Sequence, residues 1–190
     1  MLWLKDIHLR FRGLKQNADN AIAQVSSSDL FLEPQAPQQV PEGSNSIAVI
    51  MKHMAGNMLS RWTDFRTSDG EKPDRHRDKE FLVNMSEAEL KLYWEKGWSC
   101  VLDALDSLEP TELEKTILIR GESHGMVEAV HRQFAHYAYH CGQLVYLARY
   151  WAGPDWQSLS IPKGQSEAYN ARKAAAGDQG DKGISAGLPK

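Results

Sequence analysis

Two histidines four positions apart are the residues of this sequence best suited to chemistry. His136 and His140 are followed closely by Gln143. An α-helix turns about 100° per residue, so these three side chains project from one helical face, about a turn apart. Two imidazoles in that arrangement can bind one divalent metal ion, although hydrogen-bonded histidines without a metal show the same spacing.

A third histidine occurs much earlier, inside an apolar stretch. Asn57, Ser60 and Asp64 follow His53 along the same helical face. A purely structural bundle would place Leu or Ile at such positions, so this polar stripe predicts polar partners on another helix. His53 is therefore a candidate third ligand, and the alternative is a core histidine bonded to a carbonyl group.

Three neutral imidazoles leave a divalent ion with at least one open position, which is typical of catalytic rather than structural sites. Water at that position gives a hydroxide for hydrolysis, whereas a thiol gives a thiolate that attacks an electrophile. Zinc, nickel, iron and cobalt all suit three nitrogen ligands, so the sequence does not name the metal.

Further side chains would have to assist either reaction. Hydrolysis needs a general base, for which Asp64 and Glu128 are the candidates, but Asp64 lies nearly three helical turns beyond the histidine of its helix. A small thiol needs cationic or amide groups for its carboxylates, and Asn57, Arg61 and Arg132 are candidates for that role. The sequence therefore favours thiol-dependent transfer to small electrophiles over hydrolysis. The residues we expect around the metal ligands are Asn57, Arg61 and Gln143.

Four segments with the helical period of apolar residues must position these groups. The predicted helices run from Trp3 to Val25, from a cap at Asn45 or Ser46 to about Phe65, from the capping box Ser86–Glu89 to Leu108, and from Gly125 to Trp151. The β-branched run 116–119 predicts an extended strand or hairpin arm before the fourth helix.

The connections predict how these helices are arranged. Residues 33–43 carry three prolines and a glycine and must cross irregularly. The long charged segment 68–80 lets the third helix run parallel to the second. The predicted fold class is all-α, a four-helix bundle in up-down-down-up order over residues 1–160. Residues 161–190 form a C-terminal extension, largely a disordered tail; its first part, residues 160–170, either covers the pocket or a partner, or is a solvated leader.

Composition excludes several classes of protein. The 190 residues include 22 Lys plus Arg against 25 Asp plus Glu, a net charge of −3, which argues against nucleic-acid binding. The sequence contains no signal peptide and no apolar run of about 18 residues, so we expect a soluble, cytoplasmic protein with no membrane partner. Cys100 and Cys141 form no C-x-x-C pair and are expected to be buried free thiols.

The other histidines receive structural interpretations. His131 lies about 140° from the face of His136, so it should be exposed or contact another helix. His8 lies beside the apolar stripe of the first helix, and His76 lies in a charged loop. His124 stands at the start of the fourth helix, where a cap or hairpin role is favoured over chemistry.

A lone histidine in the second helix, followed by H-x-x-x-H-x-G-Q in the fourth, resembles the DinB/YfiT-like superfamily. The resemblance spans about residues 1–152, and Cys141 stands where many relatives have arginine. It implies that His53, His136 and His140 form a metal triad and that the protein is a homodimer. That family includes transferases acting with low-molecular-weight thiols and a metal-dependent hydrolase; a non-catalytic dimer that binds metal or a small ligand is the further alternative. The segments 53–58 and 77–81 are most similar to its uncharacterised branch, and family alone does not choose a reaction.

Overall fold

Four long amphipathic helices dominate the computed structural model, which describes residues 2–34 and 44–175. These helices are α1 (Leu2–Ile22), α2 (Ile47–Trp62), α4 (Glu87–Asp106) and α5 (Met126–Ala152). Two shorter helices are α3 (Arg77–Glu80) and α6 (Ser166–Ala175), and the two strands are β1 (Thr116–Ile119) and β2 (Glu122–Gly125). The described chain is therefore mostly helical with one small sheet.

Side-chain caps begin two of the long helices where the sequence predicts them. Ser46, rather than Asn45, caps α2, because its Oγ accepts a hydrogen bond from the Val49 amide at 3.2 Å. Ser86 caps α4 in a capping box, in which Glu89 accepts from the Ser86 amide at 2.8 Å. Both predicted starts are confirmed.

The ends of α1 and α2 differ from the prediction by about three residues. Helix α1 ends at Ile22 rather than Val25, and α2 ends at Trp62 rather than near Phe65. The second difference has a local cause, since Asp64 adopts a positive φ of 47°, which a continuing right-handed helix does not allow. Apolar periodicity continues past these ends because Phe65 still packs into the core.

The helices pack around one shared core, with α2 against α4 and α1 against α5 as the most extensive pairs. At the α2–α4 seam, a Cβ added to Gly97 would lie 2.9 Å from the Cα of Ala55, so the two backbones are in close approach. In this core the ring of Phe11 packs edge-to-face against Trp62 and against Tyr137. The centroid distances are 6.3 Å to Trp62 and 6.0 Å to Tyr137. This core fixes α2 and α5 relative to each other.

The predicted extended segment forms the first arm of an antiparallel hairpin, in which Thr116 pairs with Gly125 and Ile119 with Glu122. Arg120 and Gly121 have φ values of 59° and 76°, as expected in a tight two-residue hairpin turn. Asp69 accepts from both of their backbone amides, at 2.8 and 2.6 Å. The loop that connects α2 to α3 is therefore tied to the tip of the hairpin.

The described part of the C-terminal extension contains one helix. Residues 166–175 form helix α6, which buries no residue and whose alanines favour a helix without tertiary support. The predicted tail beyond residue 175, and most of the predicted irregular crossing, fall on residues 176–190 and 35–43, outside the described residues. Within the described part, no helix is both long and apolar enough to cross a membrane.

Candidate metal centre

Helices α2 and α5 bring His53, His136 and His140 together, as the sequence predicts. One ligand nitrogen from each of the three rings lies within 4.8 Å of those of the other two. The ring centroid of His53 lies 5.6 Å from that of His136 and 4.9 Å from that of His140. All three side chains are half-buried, so the cluster is shielded but not closed to solvent.

Hydrogen bonds on the outer side of the cluster orient two of the rings. His53 Nδ1 lies 2.9 Å from Glu80 Oε2, and His140 Nδ1 lies 2.8 Å from Gln143 Oε1. Since a carboxylate and an amide oxygen only accept, both Nδ1 atoms carry a proton. The Nε2 atom of His140 lies 3.0 Å from that of His136, so these two nitrogens are close enough to bind one ion. This donor set fits a divalent metal ion.

The electrostatic surroundings keep the two histidines of α5 uncharged. Burial, together with the neighbouring His140 and His53, lowers the pKa of His136 to about 4. Burial also lowers the pKa of His140 below its ordinary value. Both imidazoles are therefore neutral near pH 7, which is the form that binds a metal.

Glu80 and Arg75 complete the site, and sequence reasoning missed both. Arg75 donates to the two oxygens of Glu80 at 2.7 and 3.0 Å. Burial opposes ionisation of Glu80, but the hydrogen bonds from His53 and Arg75 outweigh it and hold the pKa of the carboxyl below its ordinary value. The segment 68–80 was interpreted as a polar connection because its charges suggest a solvated loop. The sequence feature that points to this contact is the glycine at position 56 within α2. A Cβ added to Gly56 would lie 2.7 Å from Glu80 Oε1, so the carboxylate needs a residue without a side chain there.

The three residues predicted around the ligands have different positions. Gln143 contacts His140, as described above. Asn57 is buried and accepts from the hydroxyl of Tyr137 at 3.1 Å. Arg61 is also buried, and it donates to the carbonyl of Gly70 and, at 3.0 Å, to Glu71. Of the three, only Gln143 bonds to a histidine of the cluster.

The other candidate groups lie elsewhere. Glu128 accepts from the Gly125 amide at the start of α5 and lies 2.9 Å from His124. His124 lies in β2 opposite Ile117, the hairpin position that the sequence offers as one alternative, whereas the N-cap of α5 is Gly125. Arg132 lies on the other side of His124, 3.4 Å from its Nε2. Asp64 is exposed beyond the end of α2. None of these residues has a hydrogen bond or ion pair to the three histidines in the described chain.

The remaining histidines and the cysteines have structural contacts. Trp3 donates to His131 at 3.3 Å, so His131 contacts another helix as predicted, and His8 pairs with Asp106 at 3.0 Å. Cys141 is buried as predicted, and burial raises the pKa of its thiol to about 12. Cys100 is only half-buried.

Exposed aromatic side chains border the histidine cluster. The ring of Phe81 stacks on His53 at 5.5 Å and an interplanar angle of 20°, and Phe81 is 49% exposed. Tyr139 lies edge-on to His140 at 5.4 Å. A molecule that approaches the cluster would therefore meet an aromatic rim.

Comparison with known proteins gives a family but no activity. A family model described as "Protein of unknown function (DUF1572)" matches residues 1–165. A search of curated proteins found no match to the chain.

Proposed function

We propose that this chain, which belongs to the DUF1572 family, holds one divalent metal ion with His53, His136 and His140 and acts as a metal-dependent enzyme. The reaction we favour is thiol-dependent transfer to a small electrophile. The observation that carries the proposal is the convergence of three imidazoles, two of which have Nδ1 bonded to Glu80 or Gln143, which leaves Nε2 to bind the ion.

A bound divalent ion would supply Lewis acidity, which lowers the pKa of a thiol or a water molecule. In the transfer, the thiol loses its proton to solvent, its sulfur forms a bond to the electrophilic carbon, and the leaving group departs with the bonding electron pair. The chain contributes orientation, because Glu80 and Gln143 fix two imidazoles, and partial exclusion of water, because the cluster is half-buried.

The distribution of carboxylates supports transfer over hydrolysis. Glu80 is the one carboxylate in the described chain that bonds to the cluster, and its oxygens are already occupied by His53 and Arg75. Asp64 and Glu128, the bases considered for hydrolysis, have no bond to the cluster. Transfer needs no such base, since a metal-lowered thiol pKa suffices. Metal-dependent hydrolysis and a non-catalytic site that binds metal or a small ligand are the alternatives.

The resemblance to the DinB/YfiT-like superfamily supports three further parts of the proposal: the up-down-down-up order of the four long helices, a homodimer, and a low-molecular-weight thiol as co-substrate. Arg61 and Asn57 bond within the protein, so neither is free to bind the carboxylates of such a thiol. Light scattering of the purified chain tests the dimer.

Elemental analysis of the purified protein tests metal binding directly. We expect about one equivalent of Zn, Ni, Fe or Co per chain in the wild type, and less than about a tenth of that in His136→Ala, which removes one of three ligands. His131→Ala is the matched control, because His131 lies on the same helix but contacts Trp3. Equal metal contents in His136→Ala and the wild type would refute the metal site.

Activity assays then separate the reactions. The metal-loaded protein is incubated with electrophiles plus bacterial thiols, and separately with panels of esters and amides. Thiol consumption that is lost in His136→Ala and kept in His131→Ala supports transfer. Turnover of esters or amides alone favours hydrolysis, and turnover in neither panel, with metal bound, favours the non-catalytic alternative.

A further inference from the structure

A cavity borders Glu80, the carboxylate that bonds to His53. It has a volume of about 720 Å³ and lies between α2, α4 and the loop that carries α3. That size is in the range of small-molecule sites. Glu80 lines it, and none of the three clustered histidines does.

The cavity concentrates positive charge in a chain whose net charge is −3. Its basic lining residues are Lys52, Lys72, Arg75, Lys79 and Lys96. Its acidic lining residues are Asp64, Asp74 and Glu80. Arg75 and Glu80 pair with each other at 2.7 Å, which leaves four lysines against Asp64 and Asp74. The lining therefore carries a net positive charge.

None of these four lysines has an acidic partner within ion-pair distance among residues 2–34 and 44–175. The ammonium group of Lys52 donates to the backbone carbonyls of Lys79 and Leu82. That of Lys72 donates to Ser68 Oγ and the Asp69 carbonyl, both at 2.7 Å. Neutral oxygens thus hold two ammonium groups in place. Asp64 and Asp69 act on the charge of Lys72 only from beyond ion-pair distance.

We propose that this cavity, which we call the lysine cleft, binds a small molecule through a doubly charged oxyanion, either a phosphate group or a dicarboxylate. Lysine ammonium groups are suitable point-charge partners for such anions. Tyr93 also lines the cleft, and burial, together with nearby Glu80, raises the pKa of its hydroxyl, which remains a hydrogen-bond donor at neutral pH.

The lysine cleft does not depend on the proposed metal. Its charge comes from α2, α4 and the loop, whereas two of the three clustered histidines lie on α5. Binding in the cleft should therefore persist in His136→Ala, so this inference and the metal-dependent function can fail independently.

Isothermal titration of the full chain with inorganic phosphate, and separately with succinate, tests the proposal at low and constant ionic strength. The test variant is Lys79→Gln/Lys96→Gln, which removes two exposed ammonium groups that have no ion-pair partner among residues 2–34 and 44–175. The matched control is Lys91→Gln, also on α4, whose ammonium group pairs with Glu87 outside the cleft. His136→Ala is titrated in parallel to exclude binding of the anion to a metal.

We expect the wild type, Lys91→Gln and His136→Ala to bind at least one of the two anions with similar affinity. The double variant should bind it at least about tenfold more weakly, because charge-assisted hydrogen bonds are lost. Stronger binding of phosphate indicates a phosphate-bearing ligand, and stronger binding of succinate a dicarboxylate. The proposal is overturned if neither anion binds the wild type, if the double variant binds as tightly, or if His136→Ala loses binding.

Discussion

At the scale of single residues, the ring of His53 is oriented by a hydrogen bond at Nδ1. Glu80 holds that nitrogen, and Arg75 in turn holds Glu80 through two hydrogen bonds. Gly56 makes the contact sterically feasible, because any Cβ there would collide with the carboxylate. The orientation of one ring thus depends on three residues that are not ligands.

Replacing Glu80 by Gln should therefore weaken metal binding by about 10- to 100-fold, the usual effect of removing such a hydrogen-bond partner. The amide is similar in size to the carboxylate but lacks its charge. Competition with a chelator of known affinity measures the change. Glu112→Gln is the control, since Glu112 pairs with Arg66 away from the cluster. Unchanged affinity in Glu80→Gln would contradict this role.

Sequence reasoning identified Gln143 and missed Glu80 for a physical reason. Gln143 lies three residues from His140 on the same helix, so helical geometry alone places it. Glu80 lies 27 residues from His53, and the path of the intervening chain depends on tertiary contacts such as that between Asp69 and the hairpin. The sequence predicts Arg61 near the ligands because of its charge, but its guanidinium group donates to Glu71 instead.

At the scale of elements, the seam between α2 and α4 has no space for an additional carbon atom. Gly97→Ala should lower the free energy of unfolding by about 1–3 kcal/mol, because the added Cβ must push against the backbone of Ala55. Urea denaturation measures the change. Gly13→Ala, where a Cβ meets nothing within 4 Å, should instead stabilise by about 0.5–1 kcal/mol. Equal effects of the two substitutions would disprove the close approach.

The end of α2 is tied to the turn before β1 by an ion pair that predicts a pH dependence. Hydrogen bonds from Arg66, and then from the Glu109 amide, lower the pKa of Glu112 to about 2 from an ordinary 4.5. The unfolded chain therefore binds more protons between these values, and the contribution of Glu112 is present above pH 4.5 and lost as the pH falls towards 2.

Unfolding free energies of the wild type and Glu112→Gln should therefore differ fully at pH 5 and above, differ less at pH 3, and converge only near pH 2 and below. Urea denaturation at a series of pH values measures the difference, and comparison with Glu112→Gln removes the contribution of the other carboxylates. A difference that stays constant with pH would exclude the ion pair as its source.

The elements themselves were largely predictable from the sequence. Capping residues at Ser46 and Ser86 and apolar periodicity located the long helices, because both signals are local. Their ends were less predictable, since the positive φ of Asp64 leaves no trace in hydrophobic pattern. The pairing of the loop 68–72 with the hairpin tip was not predictable, because it joins segments about 50 residues apart.

At the scale of the whole molecule, the proposed metal would join α2 to α5. A ligand present at 100 times its Kd stabilises the folded state by about 2.7 kcal/mol. For a chain of this size we expect the melting temperature to rise by about 5–10 °C with metal and to fall again with chelator. His131→Ala should show the same rise, and His136→Ala should show almost none. A rise of equal size in His136→Ala would place the bound metal elsewhere.

The separation of His53 from His136 and His140 along the chain also affects biosynthesis. A ribosome releases α2 well before α5, so the nascent chain carries only one of the three proposed ligands from residue 53 until residue 136 is added. One imidazole retains a divalent ion weakly, and tight capture must wait until the last long helix has emerged and docked. Metal acquisition would then follow synthesis of nearly the entire domain, and a prematurely terminated product would carry none.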